Sequence, residues 1–90
     1  MVGYKLCPDI SFVADNGVII VLNFETGEYY TVEGICMKIL QQIEQGNCCE
    51  CKIIAFLCEE YDADVYDLNA SFSQAIEALK EIGFIVETIN

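Results

Sequence analysis

Asp15-Asn16-Gly17 stands between two runs in which every second residue is apolar, Ile10/Phe12/Ala14 before it and Val18/Ile20/Leu22/Phe24 after it. Alternation with a period of two is the pattern of a strand with one face buried. Asn-Gly accepts the positive φ that a two-residue hairpin turn demands. The two runs therefore predict antiparallel neighbours. Glu25-Thr26-Gly27 supplies a second turn, and Glu28–Val32 predicts a third strand, with Tyr30 and Val32 on one face and Tyr29 and Thr31 on the other. Connections this short imply a meander with two open edges.

Directly after Val32 the period changes. Ile35, Ile39, Leu40 and Ile43 fall on one face of a helix from about Glu33 to Gln45, closed by Gly46-Asn47. A second helix is predicted from Cys49 to Tyr61, with Ile53, Ile54, Leu57 and Cys58 in its stripe and Phe56 to the side. Asp62-Ala63-Asp64 breaks it and offers N-cap side chains to a third helix, from about Tyr66 to Ile82. Leu68, Phe72, Ala75, Ile76 and Leu79 form the stripe of that helix, and Gly83 ends it. Phe84-Ile85-Val86 reads as a short apolar tail or strand. There is no βαβ alternation. The expected fold is α+β: an N-terminal three-stranded antiparallel sheet followed by three helices, winged-helix-like, in a single domain over 1–90.

Charge narrows the function. Fifteen acidic residues face four lysines, for a net charge of −11. Duplex DNA readers meet phosphate with cations. The third helix offers Lys80 against Asp67, Glu77 and Glu81, so the surface argues against nucleic acid, and equally against an anionic membrane. No stretch approaches the roughly 18 apolar residues of a membrane span. The lack of histidine removes the commonest general base, the six glycines are scattered at turns, and Glu59-Glu60 suits a solvated helix surface, so an enzyme is not expected. No cofactor is expected either.

Six cysteines raise a second reading. Cys48-Cys49-Glu50-Cys51 contains one C-x-x-C, and a zinc or iron–sulfur carrier built on Cys48, Cys49 and Cys51 is the alternative function. A second C-x-x-C is absent, and Cys36 and Cys58 occupy apolar helical positions where cysteine behaves as a small hydrophobe. Met1 to Pro8 holds no long apolar run of the kind a signal peptide has, so a reducing cytoplasm with free thiols is the expected compartment.

Three segments carry a family resemblance: GVIIVLNFETGEYYTV, VEGICMKILQQIEQG and EEYDADVYDLNASFSQAIEALKEIGFI. Together they resemble the PqqD-like proteins, also called RiPP recognition elements, from about Asp9 to Val86. In the second segment Val32, Ile39, Leu40 and Gly46 occupy the family's Leu, Ile, Trp and closing Gly positions. Glu33 stands for the usual Asn, Cys36 for a small residue, and Val65 where a Pro often opens the third helix.

The resemblance implies a non-catalytic module that binds the leader of a ribosomally made precursor peptide by strand addition. The bound precursor is then presented to a separate modifying enzyme, such as a radical SAM enzyme, a peptidase or a cyclase. It implies that the peptide pairs with Glu28, Tyr29, Tyr30, Thr31 and Val32 and lies against Phe72, Ala75, Ile76 and Leu79 of the third helix. Acidic Glu28, Asp67 and Glu77 would steer a basic leader residue. A stripe at helical spacing also serves a core; Leu68 and Leu79 suit that better than Phe72 and Ile76, which fit either. The same open edge would also allow a homodimer.

Overall fold

The computed structural model describes residues 2–89. Its order is β1 (Val2–Leu6), β2 (Ile10–Asp15), β3 (Val18–Asn23), β4 (Tyr29–Val32), α1 (Gly34–Glu44), α2 (Glu50–Tyr61), α3 (Val65–Ile82) and β5 (Ile85–Ile89). The class is α+β, as expected. The strands divide into two antiparallel sheets, β2-β3-β4 and β1-β5.

The hairpin forms where the sequence places it. Asn16 and Gly17 both take positive φ, 49° and 82°, which is the two-residue turn whose twist matches the flanking strands. Asp15 pairs with Val18, and the register runs on to Ile10↔Asn23. The second turn is held by the Asn23 side chain, whose Oδ1 accepts from the Glu25 N–H at 2.9 Å. β4 then pairs with β3 from Leu22↔Tyr29 to Ile19↔Val32.

One sequence expectation reverses in β3. The alternation Val18/Ile20/Leu22 suggested the inward face, yet Ile19 and Val21 are the fully buried residues. The strand VIIVLN is apolar on both faces, so period alone does not say which face meets the helices.

β1 and β5 correct the strand count from three to five. The predicted tail becomes a full strand because β1 supplies its partner, in register from Val2↔Ile89 to Leu6↔Ile85. β1 is also strapped to the start of α2. Gly3 bridges Cys49, and the Tyr4 N–H donates to the Cys48 carbonyl at 2.9 Å. A Cβ on Gly3 would stand 3.1 Å from that carbonyl oxygen, so any side chain there would have to push the Cys48 backbone aside by a few tenths of an ångström.

The helices begin and end within about a residue of expectation. Gly34, at φ 68°, lets the chain turn from β4 straight into α1. Asp64 caps α3, accepting from the Asp67 N–H at 2.9 Å. Inward-facing Ile39, Leu40 and Ile43 of α1, Ile53 and Leu57 of α2, and the α3 stripe close over Ile19 and Val21 in one core. Lys38 of α1 reaches Glu60 of α2 at 3.0 Å, an exposed pair worth at most about 1 kcal/mol. No helix of the described residues is long and apolar enough to cross a membrane.

Candidate functional site: the open edge of β4 and its groove

β4 is the last strand of its sheet, so among the described residues one side of it has no strand partner. Which backbone groups face that side follows from the ladder. The Asn23 N–H donates to the Glu28 carbonyl at 3.0 Å, and these residues oppose each other in the β3–β4 register. Antiparallel pairs alternate between hydrogen-bonded and non-bonded types. Tyr30 and Val32 therefore turn their N–H and C=O toward β3, whereas Tyr29 and Thr31 turn theirs outward. The two-residue hairpin at Asp15↔Val18 fixes the same alternation from the other side of β3.

Beside this edge lies a groove of about 290 Å³ lined by Thr31, Val32, Glu33, Cys36, Ala78, Leu79, Ile82 and Phe84. Its floor is Leu79 and Phe84, both almost wholly buried. Tyr30 supports that floor from the sheet, its ring edge-on to Phe84 at 5.3 Å between centroids. Ala78 leaves a low point on the α3 wall, and Ile82, 46% exposed, forms the outer lip. Burial pushes the Cys36 thiol pKa up. Nearer the start of α3, a second hollow of about 370 Å³ is lined by Gly34, Ile35, Tyr61, Leu68 and Ser71. Asp67, Ser71, Ala78 and Ile82 share one helical stripe, at spacings of four, seven and four, along this side of α3.

The charge at the mouth is negative. Glu28 and Glu33 are exposed at the two ends of β4. The Tyr30 hydroxyl donates to Glu28 Oε2 at 3.2 Å. The charge of Glu28, then partial burial, holds the Tyr30 phenol above its ordinary pKa, so it stays a neutral donor.

The sequence-predicted residues distribute unevenly around this groove. Tyr29 is 71% exposed on the outer sheet face, with Thr31 beside it on the edge, and Tyr30 packs inward, as their alternation indicated. Leu79 and Val32 reach the groove. Phe72, Ala75 and Ile76 do not: all three are core residues. Phe72 meets Tyr4 edge-on at 6.4 Å, and together with Ile76 it borders the opposite side of α3, next to Glu50, Glu77, Lys80 and Glu87. Glu77 lies there too, 3.6 Å from Lys80. The whole main stripe of the helix is spent on the core, with β1 and β5 against one flank of it, so the groove is left to the neighbouring arc of Ala78 and Ile82. Glu33, Cys36, Ala78, Ile82 and Phe84 were not anticipated. A signal existed: Ala78 and Ile82, four apart, widen the apolar arc of α3 beyond what its core stripe needs.

In the cysteine cluster, Cys48 and Cys51 are exposed and Cys49 is the N-cap of α2. Among the described residues, no group of three or more His, Cys, Asp or Glu is arranged to hold a metal ion.

The sequence model of the family described as Coenzyme PQQ synthesis protein D (PqqD) matches residues 19–85. The chain belongs to the PqqD family. The match takes in β3, β4 and all three helices, and so contains the whole groove. Two solved structures share the PqqD-like fold. "TbiB1 in Complex with the TbiA(beta) Leader Peptide" aligns with a TM-score of 0.81 at 18% identity, over 90% of this chain and 93% of that one. "Lasso peptide synthetase B1 complexed with the leader peptide" aligns with a TM-score of 0.77 at 24% identity, over 92% of this chain and 96% of that one. No curated protein matches the chain.

Proposed function

We propose that this protein binds the leader segment of a ribosomally made precursor peptide, as an added strand on the outer edge of β4, and presents the precursor to a separate modifying enzyme. The observation that carries this reading is the open edge at Tyr29 and Thr31 standing beside an apolar groove. Membership in the PqqD family and the fold shared with two proteins solved with leader peptides support it.

The chemistry divides between backbone and side chains. Tyr29 and Thr31 offer up to about four main-chain hydrogen bonds, each netting about 0.5–1.5 kcal/mol. These hold an extended peptide with little regard to its sequence. Specificity comes from the groove, where burying one leader Leu or Phe against Leu79, Ile82 and Phe84 contributes about 1.5–3 kcal/mol. Asp67, on the same α3 stripe, and Glu28 and Glu33 at the strand ends favour a basic residue in the leader.

The module does no bond chemistry in this reading; it raises the precursor's effective concentration at the enzyme. With Cys48 and Cys51 exposed as thiols at the surface, it suits a reducing compartment such as the cytoplasm.

Titration with the precursor's leader, followed by amide resonances, tests the proposal. The expected result is that Tyr29, Thr31, Ala78 and Ile82 shift together. Shifts confined to the Cys48–Cys51 turn, or none at all, would refute it.

A further inference from the structure

The face of the β2-β3-β4 sheet turned away from the core is also apolar. Val18, Ile20 and Leu22 of β3 project onto it, opposite to buried Ile19 and Val21. The register sets Ile20 between Val13 and Thr31, and Leu22 between Ser11 and Tyr29. At the two sides of this face, Val13 and Tyr29 remain 65% and 71% exposed. A monomer gains nothing from such a surface in water; contiguous exposed apolar area of this kind marks an interaction site.

Charge says what can cover it. Between residues 9 and 33 stand five carboxylates, Asp9, Asp15, Glu25, Glu28 and Glu33, and no lysine. Two of the four lysines are occupied elsewhere, Lys38 with Glu60 and Lys80 with Glu77 and Glu87. The β2-β3-β4 segment therefore carries negative charge that no lysine of its own offsets, with Asp15 on the outer face beside Val13 and Val18. A second copy would set these carboxylates against their own kind, and nucleic acid or an anionic membrane would be repelled in the same way. The complementary occupant is a protein surface that is apolar at its centre and rich in Lys and Arg at its rim.

We infer that this outer sheet face is the docking surface for the enzyme that acts on the bound peptide, and that the enzyme meets it with such a basic-rimmed apolar patch. Naming the occupant as that enzyme rests on the peptide-binding reading. Continuity of the sheet makes the arrangement productive. A strand added beyond β4 sends alternate side chains to opposite faces, one set into the groove and the other onto the outer face next to Tyr29 and Thr31. An enzyme seated on that face touches carrier and precursor at once.

Val13→Lys and Asp15→Lys test this. Both positions are exposed and lie on β2, two strands away from the open edge of β4. The purified enzyme that modifies the precursor whose leader this chain binds is titrated against each variant at low and high salt, with and without leader. Leader affinity is measured separately and serves as the check on folding. The expected result is at least tenfold weaker enzyme association for Val13→Lys, a several-fold loss for Asp15→Lys, weakening of the unmodified pair by salt, and leader affinity within twofold throughout. Enzyme association unchanged in either variant, or absent in the unmodified chain, overturns the inference. So does a concentration-dependent dimer that Val13→Lys abolishes, since the face then serves a second copy. Failure of the unmodified chain to bind leader, with enzyme docking intact, counts against the peptide reading and leaves the docking face standing.

Discussion

Thr31→Pro separates strand addition from every other way of holding a peptide. Proline removes one backbone N–H and places its ring where that hydrogen stood. The alternation in the β3–β4 ladder turns the Thr31 N–H away from β3, so the sheet itself loses no hydrogen bond. Proline is tolerated at such edge positions, and its bias toward extended backbone at the preceding residue agrees with Tyr30 being in a strand. The fold should survive, with stability within about 0.5 kcal/mol of the parent, as for an ordinary surface change. The peptide fares differently. Of about four main-chain bonds one is deleted, and the peptide carbonyl that accepted it is left desolvated, at about 1–3 kcal/mol. That is a loss of about 5- to 150-fold in affinity. Calorimetric titration with the leader, alongside thermal melts, measures both quantities. Tyr30→Pro is the counterpart: its N–H lies within the ladder to Val21, so it should lower the melting temperature. A Thr31→Pro variant that melts like the parent and binds leader within twofold of it would refute pairing at β4.

Three further outcomes are expected. Ala78→Arg should fill the low point of the groove and cut leader affinity more than tenfold with stability nearly unchanged, because Ala78 is an exposed helical position; calorimetry and melts check it. Phe72→Ala, 1% exposed in the core, should cost about 3–5 kcal/mol of stability in denaturant titration, a large part of what a domain this size has, while the folded fraction still binds leader. Burial and the Glu50 carboxylate hold the Tyr4 phenol well above its ordinary pKa of 10.0, so the folded state keeps a proton that the unfolded chain releases. That contribution is complete below pH 10 and is lost as pH rises above it. Tyr4→Phe, which gives up the 3.2 Å bond to Glu50, should be about 1 kcal/mol less stable at neutral pH yet lose less stability above pH 10, in melts recorded across that interval.

Local chemistry made much of this molecule legible in its sequence. Asn16-Gly17 dictates a two-residue turn because few other pairs accept two positive φ angles in succession. Asp64 and Gly83 bound α3 because one caps its first turn and the other takes the left-handed conformation past its last. The exposed Tyr29 and inward Tyr30 follow from a period of two. These are interactions among near neighbours, which a linear pattern records.

Tertiary structure decided the rest. β1 and β5 pair across nearly the whole chain, and neither carries a turn that announces the other. Their arrival on one flank of α3 commits Phe72 and Ile76 to the core and leaves Ala78 and Ile82 to face the groove. β3 is apolar on both sides, so only the helices' choice of Ile19 and Val21 makes Ile20 and Leu22 the outer face. A helical stripe or a strand period states which residues share a side; which neighbour that side meets depends on contacts between residues far apart in the chain, and these are made only when the chain closes on itself.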